Sequence, residues 1–185
     1  MTLRIIGGAY KGRLLKTPKG PSTRPTQGML REAVFNICQN EIEGARFLDL
    51  FAGSGAMAFE ALSRGASHVA LVEENRSAIA CIKENLALLK AEKSAALLPV
   101  KAARALQLLS KERFTIVYID PPYGTPTDPL LDAIVPLLSP NALVFLEERY
   151  QPKSQKKPYE PASLALQSSR HFGDALLHEY RFSDT

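Results

Sequence analysis

The stretch that decides the fold is "FLDLFAGSGAMAFEALSRGA", residues 47–66. An apolar run containing Asp49 leads into a Gly53-Ser54-Gly55 turn, and an amphipathic, alanine-rich segment then continues to Gly65. A strand, a glycine turn and a helix in this order form the first half of a βαβ unit. Glycines let a ligand approach the backbone closely, and the first N–H groups of a helix are free to bind it. The stretch therefore predicts an α/β fold with a ligand site at the turn.

The residues around this turn indicate the kind of ligand. Ala58 occupies the third glycine position of G-x-G-x-x-G, and no P-loop lysine follows. Asp49 would repel a diphosphate but suits a ligand with an amine or a positive centre, which argues against an NAD-dependent oxidoreductase. Glu73 ends the next apolar run, at the spacing of an acid that binds ribose hydroxyls. We expect a nucleoside ligand held by Glu73 rather than Glu74, since side chains alternate along a strand and only one should face it.

Outward from this stretch, apolar strands alternate with helical patterns, which is typical of a parallel sheet. A Gly173-Asp174 turn between two later strands, residues 164–172 and 175–182, predicts a final antiparallel hairpin. The segment from Thr26 has a helical stripe that Thr26 could cap, and residues 3–15 predict a small N-terminal hairpin. The five parallel strands are predicted at 46–51, 68–73, 95–100, 114–120 and 142–148. We expect a hairpin and connector at 1–25 and a main domain at 26–185.

Composition fits one globular domain of an ordinary intracellular protein. The chain has 185 residues, of which 45% are hydrophobic, and no apolar run has the length of a membrane span or signal peptide. Cys38 and Cys81 lack the spacing of a metal site, so we expect reduced core thiols, a cytoplasmic location and no bound metal. A disulfide between them is the less favoured alternative.

Charge is distributed unevenly along the chain. Residues 1–31 hold 7 of the 23 basic residues and none of the 19 acidic ones, so the remainder has 16 basic and 19 acidic residues. A basic arm on a mildly acidic body is typical of a protein that contacts nucleic acid. The alternative is a solvated hairpin, and charge alone does not decide between the two.

A second motif, "IVYIDPPYGTP" at residues 116–126, ends the fourth predicted strand on two prolines. Ligands of parallel α/β sheets bind beyond the carboxyl ends of the strands, so this corner should face the crevice of the glycine turn. The carboxylate of Asp120 and the carbonyl of Pro121 are both acceptors and would suit an exocyclic –NH₂ group. Tyr123 offers a face for stacking a base, and the prolines make the corner rigid. The alternative is an inert strand-to-loop turn.

These motifs resemble a known family. "RIIGGAYKGRLL", "RPTQGMLREAVFN", "FLDLFAGSGAMAFEALSRGA" and "IVYIDPPYG", in this order, closely resemble the RsmD family over nearly the whole chain. The resemblance implies a Rossmann-like class I S-adenosylmethionine-dependent methyltransferase, with a mainly parallel seven-stranded sheet and a small N-terminal β-hairpin. It also implies methyl transfer to N2 of a guanosine in 16S ribosomal RNA, within an assembled or assembling small subunit, by a protein that we expect to be monomeric.

The resemblance assigns roles to residues at matching positions. The catalytic corner would comprise Asp120, Pro121, Pro122 and Tyr123. S-adenosylmethionine would be bound by Asp49, Phe51, Ala52, Gly53, Ser54, Gly55, Glu73, Glu74, Ala102 and Ala103. Ribosomal RNA would be bound by Arg4, Lys11, Arg13, Arg24, Thr26 and Arg31.

Two departures from the family pattern and three alternatives stay open. Ala102 and Ala103 stand where the family usually has a polar side chain near the adenine, and Asn75 stands where it often has a second acid. The target could instead be adenine N6 or cytosine N4, or the chain could be a non-catalytic RNA-binding assembly protein. His68, His171 and His178 are interpreted as structural residues away from the corner. The lysine-rich segment at 151–158 is interpreted as a solvated loop, with an RNA contact as its alternative.

Overall fold

The structure is a computed structural model that describes residues 3–18, 25–151 and 157–183, without the side chains of residues 25 and 26. It contains nine strands and five α-helices in the described part of the chain. The strands are β1 (Leu3–Arg4), β2 (Leu14–Leu15), β3 (Arg46–Asp49), β4 (His68–Val72), β5 (Ala95–Leu98), β6 (Phe114–Ile119), β7 (Leu138–Arg149), β8 (Leu164–Phe172) and β9 (Ala175–Phe182). The helices are α1 (Pro25–Ile37), α2 (Ala56–Ser63), α3 (Arg76–Leu89), α4 (Ala102–Leu108) and α5 (Asp128–Ile134).

Seven strands form one sheet in the order β5-β4-β3-β6-β7-β9-β8. The strands from β5 to β7 are parallel, whereas β9 pairs antiparallel with both β7 and β8. This confirms the predicted seven-stranded, mainly parallel sheet with a final antiparallel hairpin. The order places the carboxyl ends of β4, β3, β6 and β7 side by side, and this edge positions the site.

Two apolar layers cover the sheet. Phe47, Leu71 and Phe145 contribute to the core on the face of α1 and α2, whereas Leu48 and Val117 contribute to the core on the opposite face. This division follows from the alternation of side chains along each strand. The helix predicted to begin near Thr26 begins at Pro25, so Thr26 is the second residue of α1 rather than the residue before it. Proline suits a first helical position because its missing N–H has no partner there in any case.

The N-terminal hairpin is fastened to α2. The Glu60 carboxylate accepts hydrogen bonds from the backbone N–H groups of Ile6 and Gly7, each at 2.8 Å. Gly8 has a φ of +76°, and a Cβ built on it would lie 1.7 Å from the Ser63 carbonyl oxygen. Only glycine allows this close approach of the hairpin to α2. Because α2 begins at the glycine turn, the hairpin has a fixed orientation relative to that turn.

The hairpin also shares the main core, since Leu3, Ile5 and Leu15 pack within the same apolar cluster as α1 and α2. The division of the chain at residue 25 stays a prediction. Cys38 is buried and Cys81 is half-buried, and neither forms a disulfide, so Cys81 is not the core thiol that we expected. Among the helices of the described residues, none combines the length and the apolar character that a membrane crossing requires.

Candidate active site

Four adjacent strands each place a carboxylate at the same edge of the sheet. Asp49 ends β3, and Glu73 and Asp120 directly follow β4 and β6. Glu147 lies near the end of β7 and directly follows Leu146, which pairs with Ile119 of β6. The alternation of side chains gives all four acids the parity of the α1/α2 face. The edge is therefore a row of acidic side chains, whose ionised forms a positively charged ligand would stabilise.

A cavity of about 370 Å³ opens at this edge beside the glycine turn. Several of the predicted cofactor-binding residues line it: Phe51, Gly53, Glu73, Glu74 and Ala102. Both Glu73 and Glu74 line the cavity, whereas we expected only Glu73 to face the ligand. Glu74 lies two residues beyond the last residue of β4, where the alternation of a strand no longer applies.

The glycine turn and Glu73 hold each other in place. One oxygen of the Glu73 carboxylate accepts the Gly53 backbone N–H at 2.7 Å, and the other accepts the N–H groups of Glu74 and Asn75. A Cβ at Gly53 would meet no atom within 4 Å, so the space above this residue is open to a ligand. Asn75 caps α3 by accepting backbone N–H bonds from Ser77 and Ala78, which accounts for an amide at this position.

Asp49 is a buried acid whose carboxylate forms no hydrogen bond of normal geometry among the described residues. Its side chain is 1% exposed, and neither carboxylate oxygen has a hydrogen-bond partner among the described residues. Burial, together with the charges of Asp120 and Glu73, raises the pKa of Asp49 from 3.8 to about 8, against a weaker opposing influence of the Ala58 backbone. Such a carboxylate is energetically unsatisfied without a ligand. A cation or ammonium group bound nearby would stabilise its ionised form.

The other predicted cofactor residues are placed less favourably. Ala52, Ser54 and Gly55 belong to the turn but do not line the cavity. Ala103 is exposed and lies on a separate apolar groove between α4 and α5. It sits one helical position from Ala102, about 100° round the helix axis, and therefore points in a different direction from Ala102. Ala103 therefore does not line the first cavity, and its cofactor contact stays a prediction.

The Asp-Pro-Pro-Tyr corner separates the first cavity from a second one of about 560 Å³. All four of its residues line both cavities. Burial, followed by the charge of Glu147, raises the pKa of Asp120 to about 7, and no described residue donates a hydrogen bond to its carboxylate. The Tyr123 ring is 74% exposed, and the Arg149 guanidinium carbon lies 5.3 Å from its centroid. The corner thus places an available carboxylate and an exposed aromatic ring between the two cavities.

Sequence reasoning missed Glu147, the fifth residue that lines both cavities. Its Oε2 accepts a hydrogen bond from the buried Tyr118 hydroxyl at 2.5 Å. Burial raises the pKa of Glu147, while the Tyr118 hydrogen bond acts in the opposite direction. The sequence signal was the Glu147-Glu148 pair that ends the apolar run of β7, but the run alone does not show which acid faces the crevice.

His178 is also placed differently from our expectation, because it lines the second cavity rather than lying away from the corner. Its ring is buried, with Ser169 Oγ 2.8 Å from Nδ1 and Glu148 Oε2 3.2 Å from Nε2. Glu148 additionally accepts from the Thr127 hydroxyl. These contacts connect β8, β9, β7 and the start of α5, so this histidine helps to shape the wall of the cavity.

Sequence reasoning also missed Asn85, a residue that holds the glycine turn through a hydrogen bond to the Ser54 carbonyl. Asn85 of α3 is fully buried, and its Nδ2 donates to the carbonyl oxygens of Lys16 and Ser54. Its Oδ1 accepts the Lys16 backbone N–H at 2.7 Å. A single amide thereby joins α3, the segment after the hairpin and the glycine turn. An asparagine in an amphipathic helix carries no sequence signal of such a role.

The predicted RNA-binding residues divide into three groups. Arg4, Lys11 and Arg13 are exposed on the hairpin, as an RNA contact requires. Arg24 and the side chain of Thr26 lie outside the described residues. Arg31 is 5% exposed, donates to the Arg4 carbonyl at 2.8 Å and lies 3.7 Å from Glu60, so its predicted RNA contact is wrong. Its guanidinium instead connects α1 and the hairpin to α2.

Comparisons with known proteins agree with this architecture. A family model described as "Conserved hypothetical protein 95" matches residues 3–181. The Ribosomal RNA small subunit methyltransferase D of Escherichia coli K12 is 34% identical over 187 residues, covering 97% of this chain and 89% of that protein. The structure of yhhF from Escherichia coli has a TM-score of 0.85 and 30% identity, and that of HI0767 from Haemophilus influenzae has 0.79 and 27%, each covering 100% of both chains. On these matches the chain belongs to the conserved hypothetical protein 95 family, the RsmD family that its motifs resemble.

Proposed function

We propose that this protein transfers a methyl group from S-adenosylmethionine to the exocyclic N2 of a guanosine in small-subunit ribosomal RNA. The observation that carries the proposal is the meeting of two cavities at Asp120–Tyr123. One cavity has the features of a nucleoside-cofactor site, and the other is large enough for a base turned out of its strand. A methyl donor and an acceptor amine could then meet at a single rigid corner.

The residues of the first cavity fit S-adenosylmethionine. Its ammonium and sulfonium groups are cationic. The buried carboxylate of Asp49 does not line the cavity but lies at the same acidic edge, beside the glycine turn. Glu73 and Glu74 both line the cavity as candidate acceptors for ribose hydroxyls. Ala102 has no side-chain polar atom for the adenine, so adenine recognition would depend on backbone groups and on apolar neighbours such as Val100.

The chain's own residues would supply position and acceptors. When bound, S-adenosylmethionine supplies an electrophilic methyl group, so no covalent enzyme intermediate is required. Asp120 and the Pro121 carbonyl would accept the hydrogens of the amine and direct its nitrogen lone pair towards the first cavity. On transfer, the nitrogen would gain the methyl group that sulfur releases and would become cationic. Asp120, whose pKa is raised to about 7, would take the proton that the nitrogen then releases.

The hairpin would provide the RNA contact. Arg4, Lys11 and Arg13 are exposed, and the hairpin is held on α2 through Glu60 and Ser63. Basic side chains neutralise phosphates without reading sequence. A small domain with such an arm would take its specificity from a folded ribonucleoprotein, which supports an assembled or assembling small subunit as substrate. Equal methylation rates for naked RNA and for the particle would contradict this part of the proposal.

The test is methyl transfer from labelled S-adenosylmethionine to small subunits from cells that lack this activity. We expect the wild-type protein to label the RNA, and Asp120→Ala to reduce kcat by at least about 100-fold while it still binds S-adenosylmethionine in calorimetry. Glu112→Gln is the control, because Glu112 is exposed and precedes β6 at the opposite end from Asp120. Binding of the cofactor without any labelling by the wild-type protein would instead favour an RNA-binding assembly protein.

A further inference from the structure

The wall between the two cavities contains one acid that the proposed mechanism has not used. Glu147 lines both cavities beside Asp120, although the two residues come from different strands. Its Oε2 is held by the Tyr118 hydroxyl, and no described residue donates a hydrogen bond to Oε1. A carboxylate oriented through one oxygen, with the other available, therefore lies where the target amine would be bound.

Glu148, the neighbouring acid, is engaged elsewhere. It accepts from the Thr127 hydroxyl and contacts His178, and it lines the second cavity but not the first. In register, Ile119 pairs with Leu146, so Glu147 is the strand neighbour of Asp120. Two carboxylates thus stand side by side at the corner. Pro121, whose carbonyl would be a third acceptor, lines the same two cavities.

Two adjacent acceptor groups distinguish the possible target bases. Guanine presents two kinds of donor in a row, the N2 amine and the N1–H group. Adenine and cytosine present an amine beside a ring nitrogen that has a lone pair and no hydrogen. An ionised carboxylate has no hydrogen to donate, so it can accept from N1–H of guanine but would face the lone pair of the other two bases.

We infer that Glu147 is the residue that selects guanine, accepting N1–H through its available oxygen while Asp120 and the Pro121 carbonyl accept the hydrogens of the N2 amine. Tyr118 is then a positioning residue, because it touches Glu147 and lies behind it in the buried sheet. This inference rests on the proposed function, to which it adds the origin of specificity.

The electrostatics of the site agree with this role. Burial raises the pKa values of both Glu147 and Asp120, so the ionised form of each carboxylate is poorly stabilised until a substrate donates hydrogen bonds to it. A guanine that donates N1–H to Glu147 and its amine hydrogens to Asp120 would stabilise both carboxylates. A base that brought a lone pair instead would leave one buried carboxylate facing like charge density, which is the costlier arrangement.

The test uses two nucleotides as competitive inhibitors of methyl transfer to small subunits. Guanosine 5′-monophosphate has the amine and N1–H, whereas 2-aminopurine riboside 5′-monophosphate keeps the amine but has a lone pair at N1. Each is titrated against the wild-type protein and against Glu147→Gln and Glu179→Gln. Glu179 is the matched control, since it is a half-buried glutamate that accepts from the Ser168 hydroxyl and lines neither cavity. Circular dichroism and S-adenosylhomocysteine binding verify the fold and the first cavity of each variant.

We expect guanosine monophosphate to inhibit the wild-type protein at a concentration at least about 10-fold below that of the analogue. Glu147→Gln should abolish or reverse this preference, because its amide offers one acceptor and one donor and so complements the analogue. Glu179→Gln should keep the preference. An unchanged preference in folded Glu147→Gln, or no wild-type preference or no inhibition by either nucleotide, would overturn the inference. Absence of wild-type transfer to any guanosine would instead refute the proposed function.

Discussion

The substitution Asp49→Asn should stabilise the protein without cofactor and weaken cofactor binding. Asp49 is 1% exposed, and its pKa is raised from 3.8 to about 8. The folded state thus holds its proton more tightly than the unfolded state does. Its favourable contribution to stability is complete below pH 3.8 and is lost as the pH rises towards about 8. Asparagine has nearly the same shape and does not titrate, so it removes this loss.

The size of the effect follows from the pKa shift. At pH 7 the protonation of Asp49 on folding costs about 4 kcal/mol, since each pKa unit corresponds to about 1.4 kcal/mol. The melting temperature of Asp49→Asn at pH 7 should therefore exceed that of the wild type by roughly 10 °C, given about 2–4 °C per kcal/mol for a domain of this size. Near pH 4 the two proteins should melt together. Because the ionised acid would bind a cation, the variant should lose about 10- to 100-fold in affinity for S-adenosylmethionine.

The assay is thermal unfolding of the cofactor-free proteins between pH 4 and 8, followed by calorimetry with S-adenosylmethionine. Glu92→Gln, which removes one exposed carboxylate from the same chain, is the control and should show the wild-type pH dependence. An Asp49→Asn protein that is less stable than the wild type at pH 7, or that has the same pH dependence, would refute the reasoning. Unchanged cofactor affinity would refute the role of Asp49 in binding.

Three further predictions concern the supports of the site. Gly8→Ala should destabilise the protein by about 1–3 kcal/mol in urea unfolding, because a Cβ would lie 1.7 Å from the Ser63 carbonyl oxygen at a φ of +76°. Wild-type stability of this variant would show that the hairpin is not held as described. Asn85→Ala should raise the Kd for S-adenosylmethionine in calorimetry, because it leaves the Ser54 carbonyl at the glycine turn without its donor. Circular dichroism verifies that the variant is folded, and an unchanged Kd in the folded variant would contradict this support. Tyr123→Ala should reduce kcat/KM by about 10-fold through lost stacking, while Tyr123→Phe keeps the wild-type activity. Both variants should keep the wild-type stability, since Tyr123 is 74% exposed. Equal activity of all three proteins would exclude stacking.

Much of the architecture was accessible from the sequence because the apolar runs are well separated. The βα units and the Gly173-Asp174 hairpin were predicted near their observed bounds, since glycine turns and period-two patterns are local signals. The positions of Gly53, Glu73 and Asp120 at one edge followed from a property of parallel sheets, that their carboxyl ends meet. This placement does not depend on the register between the strands.

The remainder depends on contacts between distant segments. Glu147 could not be separated from Glu148 without the register of β7 against β6. Arg31 counted as a surface charge in the sequence, but folding buries it against Glu60 and the Arg4 carbonyl. The location of His178 depends on the order in which β9 inserts between β7 and β8, which local patterns do not encode.

The most direct test of the central claim is the identity of the methylated nucleoside. Small-subunit RNA labelled by the wild-type protein would be digested to nucleosides and separated against authentic standards. We expect label in N2-methylguanosine alone, because Asp120, the Pro121 carbonyl and Glu147 together complement the N2 and N1 edge of guanine. Label in N6-methyladenosine or N4-methylcytidine would refute guanine as the target, since those bases would place a lone pair against the Glu147 carboxylate.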